Sequence, residues 1–394
     1  MARLTWEQLD KIKQRYGVDR LWSYSRVSTF LTSKYEYYLK YIKHEKEDRT
    51  DCAYANLGTI CHDTLDDFYE DKIKYEDMID QFKDGWLAYI DIAGLKLDRN
   101  DETHDEKLKA KYKECIEHFF RNHVKYKHKL FIEKPITAQI GNNAFVGYID
   151  AMFKDDNDVW TVIDFKTSSK YSGKSLEDHS GQLITYAIGM NQKGIPFEKI
   201  RCCFNFLKYA TIEYEQANGK TKTRDVERCK IGESLQTNAK MWLKKLGYDD
   251  EVDDYLKSLL DANSIDVLPK DVQEKYTIRD CHVYIPLEEE LIDKYVKEII
   301  GTIDDILVRE EKYKSTNDDM LFWDDEENVK KESYYFATLC GFSPSKHKPY
   351  QKYLNTLDAQ KSGSNFFFGV GSNAKPTTVA SSSDDDLSWL DALV

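Results

Sequence analysis

The sequence predicts an α/β protein: a mixed central sheet flanked by helices, with a mainly helical N-terminal arm and an acidic, mainly helical C-terminal region. Two observations place the sheet. Residues 130–140, 144–153 and 159–166 are rich in β-branched and aromatic side chains. The last two stretches flank the polar turn Asp155-Asp156-Asn157-Asp158, so they read as a hairpin. Residues 200–207 form an apolar run of the kind found in a central strand. A third observation places the helices, which are periodic stretches of helical length before, between and after these strands.

In chain order, a helix is expected from about Ser25 through Tyr41, its aromatic residues packing in a core. A polar loop follows at 43–51. A second helix begins near Asn56 and carries Gly58-Thr59-Ile60-Cys61-His62, with Leu65, Phe68 and Tyr69 continuing its apolar face. Residues 107–128 read as a helix with a lysine-rich polar face, either a solvated surface or a strip that follows a nucleic-acid backbone. After the three strands comes a helix over 176–191. Residues 211–214 and 223–229 pair around the turn Asn218-Gly219. Gly219-Lys220-Thr221 lacks the leading glycine of a phosphate-binding loop, because position 214 is Tyr, so no ATPase is expected. Helices dominate 232–260 and 288–312. The domain organisation this suggests is 1–128, a helical N-terminal region; 129–231, the core; 232–360, the acidic helical region; and 361–394, a tail.

A chain of 394 residues can hold two or three domains. It has no apolar run of membrane-spanning length, and Met-Ala-Arg-Leu-Thr-Trp-Glu is not a signal peptide. Eight cysteines without a disulfide rhythm point to a reducing cytoplasm. The expected setting is a bacterial cell, with the gene either the cell's own or a bacteriophage's. The net charge of −13 argues against a nucleic-acid partner only at first sight. Residues 248–332 carry −15, which leaves the rest of the chain at +2, and local potential governs the approach of a polyanion.

The chemistry concentrates between Gly147 and Tyr186. Asp150 and Asp164 each stand in an otherwise apolar strand, an unfavourable place for a carboxylate without a partner. A divalent cation would satisfy both. Lys166 is two residues beyond Asp164 and shares its strand face. Two carboxylates and an ammonium at a strand end can hold a hard metal ion and orient a water, the parts needed for metal-assisted phosphodiester hydrolysis. Gln182 and Tyr186, four apart on a helix, can reach one ligand, and an amide and a phenol suit phosphate and base contacts.

Taken together, the motifs resemble the RecB-type nuclease domain of the PD-(D/E)xK superfamily. The likeness rests on Gly58 and His62 (Gly-x-x-x-His), Gly147 and Asp150 (Gly-x-hydrophobic-Asp), Asp164 and Lys166 (Asp-x-Lys), and Gln182 and Tyr186 (Gln-x-x-x-Tyr), in that order over residues 25–207. The resemblance implies the restriction-endonuclease-like fold and a Mg²⁺- or Mn²⁺-dependent DNA nuclease, most like an exonuclease of recombination, repair or replication. It further implies that Asp150, Asp164 and the backbone carbonyl of Phe165 ligate the metal and that His62 ligates or positions it. Lys166 would orient or activate the attacking water, and Gln182 and Tyr186 would contact the strand. Glu133 stands where relatives often carry a further acid. Many relatives also hold an iron-sulfur cluster on four cysteines. Here Ser33-Lys34 replaces the first, and only Cys340 remains of the other three, so no cluster is expected. The remaining cysteines, including Cys202 and Cys203, are expected to be small buried hydrophobes.

Two rival readings stand beside the nuclease: a nucleic-acid-binding scaffold without activity, and an adaptor acting through its tail. Residues 361–383 have linker composition. The last eleven residues place Asp384, Asp385 and Asp386 ahead of Leu387, Trp389, Leu390, Leu393 and Val394. This is a peptide suited to fold into a groove on a replication or recombination partner, or else a solubilising tail.

Overall fold

The computed structural model describes residues 4–367, with side chains described through 359. Helix α1 (Trp6–Tyr16) is capped reciprocally by Thr5 and Gln8 and ends at Gly17, which takes the left-handed conformation (φ 63°). Strand β1 (Leu21–Trp22) and helices α2 (Tyr24–Thr32) and α3 (Lys34–Tyr37) follow. The helix expected to run unbroken through Tyr41 is interrupted at Ser33. The extended backbone of Ser33 (φ −148°, ψ 114°) ends α2, and its hydroxyl caps α3 by accepting from Glu36 N–H.

Next come α4 (Ala53–Tyr69), α5 (Met78–Trp86) and α6 (Glu102–Asn122). Helix α6 starts earlier than expected, because the Asp101 carboxylate caps it, and it stops short of 128. The strands β2 (Phe131–Ile140), β3 (Asn143–Lys154) and β4 (Trp160–Lys166) fall close to where the sequence puts them. The Gln182 helix is divided into α7 (Lys174–His179) and α8 (Gly181–Asn191). Strand β5 (Ile200–Glu215) is twice the expected length and turns into β6 (Thr221–Glu227) through the Asn218-Gly219 turn. Helices α9 (Ile231–Lys245), α10 (Val252–Ala262) and α11 (Lys270–Gln273) lead to β7 (Tyr276–Ile285), a strand inside the region read as mainly helical. The chain then runs through α12 (Glu289–Thr316), α13 (Glu326–Lys331) and α14 (Lys348–Phe367). Helix α14 continues past 361, where linker composition begins; the terminal peptide 384–394 lies outside the described residues.

The seven strands among the described residues belong to one sheet, in the order β1-β3-β4-β5-β6, with β2 added to β3 and β7 added to β5. β4 and β5 are parallel, which the intervening helices allow, whereas β2–β3 and β3–β4 are antiparallel. The mixed sheet and its flanking helices are the predicted fold class. One face packs on α4, α5 and α6 through Leu57, Phe82, Phe119, Ile163 and Phe165. The other packs on α2, α8 and α12 through Val27, Leu183, Ile303, Val162 and Phe206. A third core joins the far end of β5 to α9 and α10. The acidic helix α12 contributes one apolar stripe, Ile292, Tyr295, Ile299, Ile303 and Ile306, and turns its charges outward. No helix among the described residues is long and apolar enough to cross a membrane.

The N-terminal arm and the C-terminal segment are tied by a buried polar cluster. Ser33 Oγ donates to Asp324 Oδ2 (2.7 Å), and Asp324 also accepts from the backbone N–H groups of Lys34 and Tyr35. His347 Nδ1 accepts from Tyr350 N–H, which leaves Nε2 as the donor toward Ser33 Oγ (3.0 Å). Nearby, Tyr335 donates to the buried Glu36 carboxylate, which also lies 3.6 Å from the Cys340 thiol. Burial pushes His347 down to about 4 and Asp324 upward. For His347, the unfolded chain binds the extra proton between its ordinary value and about 4. Stability from this group is therefore full above the ordinary histidine value and falls as pH drops through that window, by up to about 3 kcal/mol. Asp324 acts with the opposite sign, so the variant comparison is the informative one. Urea unfolding from pH 7 to pH 5 should weaken the wild type more steeply than His347→Gln, which keeps a donor but cannot titrate. Parallel slopes would remove His347 from this role.

Candidate active site

The site sits where the sheet opens. β1 pairs with β3 only at Ala144 and Phe145, and β4 pairs with β3 only over Ala151–Lys154. Both use the edge of β3 opposite β2, so residues 146–150 have no strand partner on that edge. In the same register Asp150 would face Asp164, but the ladder stops one pair short. Across β3 a second irregularity coincides. Glu133 takes a left-handed backbone (φ 49°), and the β2–β3 pairing skips from Ile132↔Ala151 to Lys134↔Ile149. The kink reverses which core the strands face: Ile132 packs against the α4 side and Ile136, of the same parity, against the α8 side. A left-handed non-glycine residue costs about 1–2 kcal/mol, and such strain collects at functional sites. Its effect here is to place Glu133 and Asp150 at the junction of the two cores.

There, ligand atoms of His62, Glu133 and Asp150 all lie within 4.8 Å of one another. His62 Nε2 is 3.0 Å from the Phe165 carbonyl oxygen, and its Nδ1 is 3.7 Å from Asp150 Oδ2. Asp150 Oδ2 accepts from Phe165 N–H (3.1 Å). Burial, and then the charge of Asp164, push Asp150 up to about 7, against the opposing pull of His62 and Lys166. Asp66 was missed from the sequence. It lies one helical turn after His62 on α4, and burial together with Glu133 raises it to about 7 as well. The signal was available as an i, i+4 acid on the histidine's face.

On the other side of β4, Asp164 and Lys166 share a face, as their spacing predicted. Lys166 Nζ is 2.8 Å from Asp164 Oδ2. That oxygen is buried and has no aligned hydrogen bond among the described residues, and the lysine charge stands beside it. Asp164 thus stands outside the trio of His62, Glu133 and Asp150, yet near enough for its charge to raise Asp150.

Gln182 and Tyr186 meet each other. Gln182 Nε2 donates to the Tyr186 hydroxyl (2.8 Å), which donates to the Tyr148 carbonyl (2.7 Å), a β3 oxygen in the gap between β1 and β4. Tyr186 is 5% exposed, so it stands behind Gln182 rather than at the surface. Its ring occupies the place of a Cβ on Gly147, which would come within 2.6 Å of Tyr186 Cε1. The glycine of Gly-x-hydrophobic-Asp and the tyrosine of Gln-x-x-x-Tyr are therefore one contact seen from two motifs. Gly181 is constrained similarly, with Tyr24 Cε2 at 2.4 Å from its would-be Cβ.

Two cavities reach this centre. One, about 920 Å³, opens between α4 and α5 and touches Asp66 and Glu133. The other, about 1130 Å³, opens among α2, α7, α8 and α12 and touches Lys166 and Gln182.

The donor set suits a hard divalent cation. It consists of carboxylates, one imidazole and a backbone carbonyl, with Asp164 carrying a buried oxygen that no hydrogen bond satisfies. Fold and site define a metal-dependent phosphodiester hydrolase. The profile of the PD-(D/E)XK nuclease superfamily matches residues 21–283, two thirds of the chain, and the protein belongs to that superfamily. Among curated proteins no match is found.

Proposed function

We propose that this nuclease is a Mg²⁺- or Mn²⁺-dependent deoxyribonuclease working as an exonuclease in recombination, repair or replication. The observation that carries the reading is the convergence of His62, Glu133 and Asp150 beside the Asp164–Lys166 pair. Asp150, Asp164 and the Phe165 carbonyl would hold the ion, with His62 as a further ligand or its positioner and Glu133 as the additional acid. The bound ion would polarise the scissile phosphate and its attacking water. Lys166 orients that water from the Asp164 side of β4. Water oxygen bonds to phosphorus, the bond from phosphorus to the leaving sugar oxygen breaks, and the proton lost by the water leaves that sugar oxygen as a hydroxyl. Gln182 contacts the strand, and Tyr186 holds Gln182 in place through their shared hydrogen bond. End-labelled single- and double-stranded DNA and RNA, incubated with Mg²⁺, Mn²⁺ or EDTA, test this directly. Ion-dependent shortening of DNA is expected, and cleavage that persists in EDTA would refute it.

The terminal peptide 384–394 carries the partner reading: acidic residues to meet a basic rim, Trp389 and Leu390 as anchors. Deleting it should leave cleavage of naked DNA unchanged while abolishing co-purification with a replication or recombination protein. Loss of cleavage on naked DNA would overturn that role.

A further inference from the structure

We propose that a nucleic-acid strand reaches the metal centre from one side only, through the lysine-bearing cavity, and that the opposite cavity rejects a continuing strand, so the protein acts on strand ends. This rests on the nuclease reading above and says how the substrate lies in that site.

The two cavities differ in charge. In the one between α4 and α5, eight carboxylates face a single cation, Lys72, which is itself held by Asp67 (2.9 Å) and Glu70 (2.7 Å). Asp63, Asp80 and Asp84 are exposed within it, the last two one helical turn apart on α5. In the cavity among α2, α7, α8 and α12, six lysines stand against five carboxylates. Lys294 and Lys331 are paired, at 3.5 Å to Glu177 and 2.9 Å to Glu332. Lys34, Lys174 and Lys297 make no ion pair among the described residues and come from three different helices around the opening. The buried Lys166 and half-buried Gln182 line this cavity, and the half-buried Asp66 and Glu133 line the other. The catalytic residues lie between.

A polynucleotide carries a negative charge at every phosphate, so a run of phosphates is drawn along the lysines and repelled by the carboxylates. An internal segment would have to lay phosphates on both sides of the scissile bond, and on the far side each would enter an acidic wall. A strand end avoids most of that cost, because only a short fragment projects beyond the bond being cut. The same wall favours departure of the anionic fragment. Lys34, Lys174 and Lys297 are then phosphate contacts on the retained side. Asp63, Asp80 and Asp84 set the requirement for an end.

The test compares the full chain on a linear single-stranded DNA and on a covalently closed circle of the same sequence, in Mg²⁺ or Mn²⁺. The linear strand should be shortened while the circle survives. The exposed pair Asp80→Asn/Asp84→Asn should then open the circle at a rate raised about tenfold or more. A circle opened by the wild type as fast as the linear strand is consumed overturns the proposal, and so does a pair variant with no gain on the circle. If neither DNA is cut, the nuclease reading fails, and the strand path is judged by binding alone. In Ca²⁺, Lys34→Ala/Lys174→Ala/Lys297→Ala should bind linear single-stranded DNA more weakly. The slope of log affinity against log salt should fall by about two, the share of three phosphate contacts on a single strand. An unchanged slope would overturn the path.

Discussion

Asp150→Asn and Asp164→Asn are each expected to abolish metal-dependent cleavage, and to differ in what they do to the fold. On the proposed ligation each would remove a negative charge from the inner shell of the ion, and an amide oxygen is a poorer ligand for a hard cation. Asp150→Asn should leave stability unchanged or raise it when no metal is present. Its oxygen can still accept from Phe165 N–H (3.1 Å), and it relieves a carboxylate that burial and Asp164 already push up to about 7. Asp164→Asn should cost stability, because Lys166, whose side chain is 9% exposed, loses the favourable charge of the carboxylate 2.8 Å away. Thermal melts with and without Mg²⁺ read both effects. The wild type should gain from the ion in proportion to its saturation, and both variants should lose that gain. Undiminished Mg²⁺-dependent turnover by either purified variant would sink the assignment of the site.

These two effects separate because the site combines local features, legible in the sequence, with long-range ones that are not. The spacing of Asp164 and Lys166 fixes a shared strand face, and an apolar strand around Asp150 announces a carboxylate that needs a partner. Those are local facts, and β3, β4 and α8 lie near where they were expected. The role of Glu133 depends on a left-handed kink inside a strand whose composition does not demand one. Its approach to His62 depends on α4 packing over the sheet. β7 escaped notice for a related reason. Its Asp280 side chain is held in the strand by the Arg228 guanidinium (2.6 Å) and by His123 Nδ1 (2.7 Å), both from elsewhere in the chain. A local reading sees an acid that belongs in a loop. The charge asymmetry of the two cavities is also invisible in the linear chain, since the acidic wall comes from residues between 63 and 133 and not from the acidic segment 248–332.

Lys166→Ala should lower the cleavage rate by about 10²–10⁴-fold, the range for groups that position or transfer a proton in the transition state, while strand affinity changes little. The geometry separates the two effects. Lys166 is buried on β4 close against Asp164, whereas Lys34, Lys174 and Lys297 line the same cavity from three helices. Removing Lys166 takes one cation from several along the path of the strand but takes from the reacting centre the lysine that pairs with Asp164. Metal affinity should not fall, since the variant leaves Asp150 and Asp164 facing each other without the ammonium that competes for them. The readout is single-turnover cleavage at saturating protein, set against DNA binding measured in Ca²⁺. A rate that falls with no change in binding marks Lys166 as the group that orients the water. A rate and an affinity that fall together by the same factor would make it a phosphate clamp, and the water would then have to be held by another group.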